Sequence, residues 1–133
     1  MYSNQRRNKN RSYQIKKRGI KDDYIDRQIS AIHVAIVDKL IANPELVAQV
    51  QSRLDHKREE GTIRYGAYIT WTSILELYDD KEAFRRGILE DSHQMRRLRR
   101  TTPFVGILNE EERKAALDAE AIGTINKPDV LFL

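Results

Sequence analysis

Branched apolar residues recur every three or four positions between residues 25 and 40, and this pattern constrains the fold more than any other. They are Ile25, Ile29, Ile32, Ile36 and Leu40. Because an α-helix turns every 3.6 residues, these side chains share a narrow stripe on one face. Asp22 and Asp23 precede the stripe, where the positive end of the helix dipole favours carboxylates. The pattern predicts a long helix that ends near Ala42.

The next segments also carry apolar residues at helical spacing. Asn43 and Pro44 end the first helix and start a second, because Asn caps helices and Pro is tolerated at the first helical position. The second helix runs from Glu45 to about Glu59 and stops at Gly61. A third begins near Ile63 and has an aromatic face. Its β-branched residues leave a strand as the alternative, but the spacing favours a helix.

Two more helices complete the pattern. A fourth starts near residue 80 and runs, or re-forms, until Pro103 ends it, because the residue before a proline avoids the helical region. Asn109, followed three residues later by Glu112, resembles a capping box and starts a fifth helix. The sequence predicts an all-α fold, a compact bundle of about five helices, as a single domain over residues 22 to 133.

Positive charge is concentrated at the start of the chain. Residues 1 to 21 hold eight Lys and Arg residues and no acidic residue, whereas residues 22 to 133 hold 16 Lys and Arg against 20 Asp and Glu. The net charge of +4 therefore combines an acidic body with a cationic N-terminal arm. The arm has few large apolar side chains, and burial cannot offset the entropy of ordering it. We expect it to be flexible and disordered.

The composition of the arm suits a nucleic-acid backbone, DNA or RNA. Cations neutralise phosphates and release counterions, and an aromatic ring stacks on bases. The candidate contacts are Arg6, Arg7, Lys9, Arg11, Tyr13, Lys16, Lys17 and Arg18. Other interpretations remain: the arm is a solubilising tail, it lies on the acidic surface of its own domain, or it contacts a membrane surface or an acidic protein.

A second basic cluster lies in the predicted fourth helix. Six arginines occur between residues 85 and 100, opposed there only by Glu90 and Asp91. The guanidinium fork binds phosphates and carboxylates in a bidentate manner. Further candidate nucleic-acid contacts are therefore Arg96, Arg97, Arg99 and Arg100. The alternative is a solvated helix end whose cations complement the helix dipole.

Two apolar features are candidate contacts with a protein partner. One is the aromatic face of the third helix, with Tyr68 and Trp71. The other is the C-terminal tail, which includes Val130 and Phe132 and either docks onto the core of its own domain or inserts into a groove or sheet of a partner. A second copy of the chain, forming a homodimer, is one candidate partner.

Several kinds of chemistry are excluded or disfavoured by composition. The chain has no cysteine, which rules out thiol redox chemistry, disulfides and thiolate metal sites. No apolar run approaches the ~20 residues of a membrane helix, and the start of the chain lacks the apolar segment of a signal peptide. The sequence predicts a cytoplasmic protein with no membrane partner.

The three histidines, His33, His56 and His93, are dispersed along the chain. Glu90 and His93 have the spacing that helical bundles use in metal sites, and His56 with Glu59 or Glu60 forms a second such pair. Because such sites need two further inward carboxylates, the sequence predicts no metal and no cofactor.

Arg27 and His33, separated by five residues, resemble the short signature of HEPN-type helical ribonucleases. The resemblance implies an RNA-cleaving toxin in which these two residues are catalytic. A six-residue offset on one helix separates the two side chains by about 120° around the axis. The resemblance therefore implies a dimer that brings them together, and a surface arginine beside a partly buried histidine is the alternative.

A longer part of the chain, about residues 28 to 117, resembles a small helical module of bacterial toxin-antitoxin loci. The matching segments are Asn43-Pro44-Glu45-Leu46-Val47, Trp71 with Ile74-Leu75, Met95-Arg96-Arg97-Leu98-Arg99, Thr102-Pro103-Phe104-Val105-Gly106-Ile107-Leu108 and Glu111-Glu112-Arg113. The resemblance implies a genomic setting and a cognate toxin or other protein partner, but no specific activity. The basic arm lies outside it.

These observations leave two main function classes. The first is a non-enzymatic antitoxin-like or regulatory protein, which contacts a protein partner through its helical body and nucleic acid through its basic arm. The second is a HEPN-like ribonuclease toxin that uses Arg27 and His33. A partner-binding subunit whose arm contacts only its own body is a third possibility.

Overall fold

Every regular element in the part of the chain that the structure describes is an α-helix. The computed structural model describes residues 20 to 126. Its helices are α1 (Ile20–Ala42), α2 (Pro44–Glu60), α3 (Tyr65–Leu75), α4 (Lys81–Leu89), α5 (His93–Arg100) and α6 (Glu110–Asn126). The predicted all-α fold is confirmed for these residues, with six helices where the sequence predicts about five. Nearly all of the predicted arm and the C-terminal tail lie outside the described residues.

The additional helix arises because the predicted fourth helix is two helices. α4 ends at Leu89, and Glu90 has non-helical backbone angles. Ser92 then caps α5, because its hydroxyl oxygen accepts a hydrogen bond from the backbone N–H of Met95 at 3.1 Å. Ile88 and Met95 are seven residues apart and both are buried, so the apolar spacing continues across a break that only the cap marks.

α1 is the central helix of the bundle. It packs against α2, α4, α5 and α6, while α3 packs against α2 and α4. Two residues of the predicted stripe, Ile36 and Leu40, are buried in the core, whereas Ile25, Ile29 and Ile32 are half-buried. Val37 of α1 is buried as well. The rest of the buried apolar core comes from α2 to α5 and from the α5–α6 connection: Val50, Leu54, Trp71, Ile74, Leu75, Phe84, Ile88, Met95, Phe104 and Ile107.

Hydrogen bonds from an arginine on α2 hold the connection between α5 and α6 in place. Arg53 donates hydrogen bonds from one guanidinium nitrogen to the carbonyl oxygens of Pro103 and Val105, both at 2.7 Å. Phe104, between them, is buried edge-on against Trp71 with ring centroids 5.2 Å apart, while Val105 is exposed. Gly106 then turns the chain with a φ of 83°, which glycine adopts without strain.

α6 begins with the predicted capping box, which is confirmed. The side-chain oxygen of Asn109 accepts the backbone N–H of Glu112 at 2.8 Å, and the Glu112 carboxylate accepts the N–H of Asn109 at 2.9 Å. The same carboxylate pairs with Lys39 of α1 at 2.7 Å. These bonds lower the pKa of Glu112 and attach the start of α6 to α1.

Candidate functional site

The four candidate arginines of α5 have four different surroundings. Arg96 pairs with Asp91 at 2.7 Å, and Arg100 pairs with Asp26 of α1 at 2.9 Å. Arg99 is buried. Arg97 is exposed and forms no ion pair within residues 20 to 126. The predicted basic cluster is therefore distributed over several surfaces, and Arg97 is the exposed member without an ion pair among the described residues.

Arg99 is buried, and this burial corrects the prediction that it contacts nucleic acid. Only 2% of its surface is exposed, and its guanidinium donates to the carbonyl oxygens of Ile88 at 3.0 Å and Glu90 at 2.8 Å. These oxygens lie at the end of α4, where a helix leaves its last carbonyls without intrahelical partners. Burial lowers the pKa of the guanidinium from its usual value. Arg99 joins α5 to α4 and cannot reach a phosphate.

We expect Arg99→Met to lower the free energy of unfolding by about 1–3 kcal/mol, because two carbonyl oxygens at the end of α4 lose their donor. Arg97→Met on the same helix is the matched control, and as an exposed substitution it should change the free energy by less than about 0.5 kcal/mol. Urea denaturation followed by the fluorescence of Trp71, the single tryptophan, measures both. Equal effects of the two substitutions would contradict this role for Arg99.

Arg97 lines a cleft of about 750 Å³ between the end of α2, the start of α3 and α5. The cleft combines cationic and apolar side chains, and we call it the basic cleft. Its basic residues are Lys57, Arg64, His93 and Arg97. Its apolar floor consists of buried or half-buried residues, namely Ile63, Ala67, Trp71, Leu98 and Pro103. No Asp or Glu of the described chain is among the residues that line it.

The basic residues of the cleft lack acidic partners in the described chain. Like Arg97, Lys57 and Arg64 form no ion pair within the described residues. α3 begins at the cleft with Arg64 as its N-cap residue and no side-chain cap, so the positive end of this helix dipole adds to the cations. Tyr65 follows directly; it is 61% exposed, and the Arg58 guanidinium lies over its ring, 4.9 Å from the centroid.

A second groove, of about 550 Å³, has the opposite charge balance. It is lined by the acidic residues Asp23, Asp26, Asp91 and Glu120 and by two arginines, Arg27 and Arg96. Arg27, an exposed residue of α1, therefore lies in a groove that carboxylates line.

His33 lies in the core, and the structure does not bring it to Arg27. Its Nδ1–H donates to the carbonyl oxygen of Ile29 at 2.8 Å, so Nε2 accepts the Thr102 hydroxyl at 2.9 Å. Burial, more than the nearby Arg99 charge, lowers the pKa of His33 to about 4. Only 1% of the residue is exposed. A neutral imidazole with both nitrogens occupied has no free atom to take a proton from a substrate, in this chain or in a partner.

The predicted protein-partner residues are also separated. The Tyr68 hydroxyl donates to the Asp55 carboxylate at 2.7 Å, which raises the pKa of Tyr68 and lowers that of Asp55. Trp71 is only 1% exposed, and this burial corrects its assignment to a partner-facing surface. Its ring packs against Phe104 and belongs to the apolar floor of the basic cleft. Val130 and Phe132, like the candidate contacts of the arm, lie outside the described residues.

Sequence reasoning missed most of the basic cleft. Lys57 precedes Arg58 and two glutamates, Arg64 has no basic neighbour, and His93 stands out only as one half of a candidate metal pair. Within the described range, no group of three or more His, Asp or Glu residues could hold a metal ion. The cleft exists because α5 lies beside the α2–α3 connection, which is about thirty positions earlier in the chain.

None of the helices in residues 20 to 126 has the length and apolar character needed to cross a lipid bilayer. Comparisons of the chain with protein-family models, with curated proteins and with solved structures found no match.

Proposed function

We propose that this protein is a non-enzymatic, antitoxin-like or regulatory binding protein that contacts the phosphate backbone of nucleic acid. The observation that carries the proposal is the basic cleft, which Lys57, Arg64 and Arg97 line and where no carboxylate from residues 20 to 126 is among the lining residues. The cationic arm, residues 6 to 18, supplies further phosphate contacts from the same chain. The protein partner rests on the resemblance of residues 28 to 117 to a toxin-antitoxin module.

Unpaired cations in a concave surface favour a polyanion for a physical reason. Each phosphate that a Lys or Arg neutralises releases condensed counterions from the nucleic acid, and this entropy drives binding at low salt. A carboxylate in the cleft would compete for the same guanidinium groups, as Asp91 does for Arg96. The ribonuclease alternative lacks comparable support, because His33 is buried and neutral and both of its ring nitrogens are hydrogen-bonded.

We expect Arg97→Ala to weaken nucleic-acid binding on the order of tenfold, as for the loss of one charge-assisted hydrogen bond. The slope of log K against log salt should also fall by up to about 0.9 for duplex DNA, since one phosphate contact is lost. Fluorescence anisotropy with a labelled oligonucleotide at several salt concentrations measures both. Arg86→Ala is the matched control, because Arg86 is an exposed arginine of α4 outside the cleft.

Three results would change this conclusion. If Arg86→Ala weakens binding as much as Arg97→Ala, net charge and not the cleft determines affinity. If Arg97→Ala has no effect while replacement of the arm's Lys and Arg residues by Gln abolishes binding, the arm alone contacts nucleic acid. If the full-length wild-type chain binds no oligonucleotide at low salt, the proposal is wrong.

A further inference from the structure

The basic cleft has an apolar floor, which a surface that only follows a phosphate backbone does not need. We propose that the floor holds an unpaired nucleobase while Lys57, Arg64 and Arg97 hold the neighbouring phosphates, so that the protein prefers single-stranded to duplex nucleic acid. This inference rests on the proposed function and specifies its ligand.

The size and lining of the cleft fit this ligand. Its volume of about 750 Å³ lies within the range of roughly 300–1,000 Å³ that is usual for small-molecule sites. Ile63, Ala67 and Leu98 are half-buried and line the cleft, so they offer apolar contact to a flat ring. The exposed amide of Gln94 also lines the cleft and can donate to or accept from the edge of a base.

Tyr65 adds a stacking surface beside the cleft. It stands between Arg64 and Gly66, both of which line the cleft, and it is 61% exposed. The cation–π contact from Arg58, at 4.9 Å, orients its ring. Aromatic side chains and arginine planes are the groups on which successive bases of a single strand stack. In this proposal, the next base of the strand stacks on the exposed ring of Tyr65.

A duplex cannot use these features without being opened. Its bases are stacked and paired, so the apolar floor stays empty unless a base is extruded, at a cost of a few kcal/mol. Its phosphates can still reach the three cations. The combination of a cationic rim and an apolar floor thus predicts that duplex binds, but more weakly than a single strand.

The test compares three ligands in the full-length protein by fluorescence anisotropy. They are a single strand of about 12 nucleotides, within the usual site sizes, the matched duplex, and an abasic strand of the same length. We expect the single strand to bind about tenfold more tightly than the abasic strand, which keeps the phosphates and lacks the bases.

A variant that fills the cleft without changing its charge supplies the second measurement. Gly66 is helical and lines the cleft, and a Cβ added there meets no atom within 4 Å, so we choose Gly66→Leu as the filling variant. Gly123→Leu on α6 is the matched control, because Gly123 is also exposed and has the same open space. We expect Gly66→Leu to remove the preference for the single strand over the abasic strand and Gly123→Leu to preserve it.

The outcomes separate this inference from the proposed function. If the abasic strand and the duplex bind as tightly as the single strand, and Gly66→Leu changes nothing while Arg97→Ala weakens all three, the base site is wrong and the phosphate site stands. If Arg97→Ala leaves all three affinities unchanged, the proposed function itself fails at this cleft.

Discussion

Phe104→Ala is expected to lower the free energy of unfolding by about 3–5 kcal/mol, a large part of the roughly 5–15 kcal/mol of a typical domain. Phe104 is 1% exposed and contacts two other buried rings edge-on. Its centroid lies 5.2 Å from that of Trp71 and 5.9 Å from that of His33. Removing the ring leaves a cavity where α1, α3 and the α5–α6 connection meet, and all three elements lose packing together.

Val105→Ala is the matched control, because Val105 is the next residue and is 69% exposed. It should change the free energy of unfolding by less than about 0.5 kcal/mol. Urea denaturation followed by Trp71 fluorescence measures both variants, and the emission of folded Phe104→Ala should shift as water approaches the indole. A loss below about 1 kcal/mol for Phe104→Ala would mean that the connection does not complete the core.

The second large effect is a loss of stability in mild acid, which we attribute to His33. Its pKa is lowered to about 4 in the folded chain from 6.5 when unperturbed, mainly by burial. Between these two values the unfolded chain binds a proton that the folded chain does not, so stability rises with pH there. The part of the free energy of unfolding that depends on neutral His33 is fully present above about pH 6.5. It is lost as the pH falls towards 4.

We expect the free energy of unfolding to fall by about 2 kcal/mol from pH 7 to pH 5, and by about 3 kcal/mol at pH 4. Urea denaturation across this range measures the change. The lowered pKa values of Asp55 and Glu112 act mainly at lower pH, because a depressed carboxyl pKa removes stability only when the pH falls below the pKa of the unfolded chain. The range from pH 7 to pH 5 therefore reports mainly on histidine.

Two variants assign this pH dependence to one residue. His33→Gln should abolish the slope between pH 7 and pH 5, even if it lowers stability at every pH. His93→Gln should retain the slope, because the buried His33 is intact in this variant. A wild-type protein with the same stability at pH 7 and pH 5, or an unchanged slope in His33→Gln, would show that the imidazole is not held neutral.

Much of the fold follows from local sequence features. The break at Asn43-Pro44, the end of α2 before Gly61 and the capping box at Asn109 and Glu112 all lie where the sequence predicts them. Each depends on residues within one helical turn of one another, so the sequence itself contains the interaction. The break between α4 and α5 is less visible in the sequence. Serine, the residue type of the cap at position 92, also occurs inside helices, and the apolar spacing continues across the break.

The roles of the arginines show where local reasoning ends. Arg96, Arg97, Arg99 and Arg100 are equivalent as sequence, since each is a cation on a short basic helix. Arg96 pairs with Asp91, five residues earlier, and Arg100 pairs with Asp26 of α1. Arg99 donates to the carbonyl oxygens at the end of α4. The position of α5 beside α1 and the end of α4 decides which of these arginines has a partner among the described residues.

The sequence by itself determined the helices, most of their ends and the inventory of charge, because propensity, capping and amphipathic spacing act between residues three or four positions apart. Only the tertiary structure decided that Arg97 meets Lys57 and Arg64 in one cleft and that His33 is neutral in the core. Both outcomes depend on contacts across dozens of residues, such as that of His33 with Thr102, because burial and electrostatic partners are properties of the packed chain.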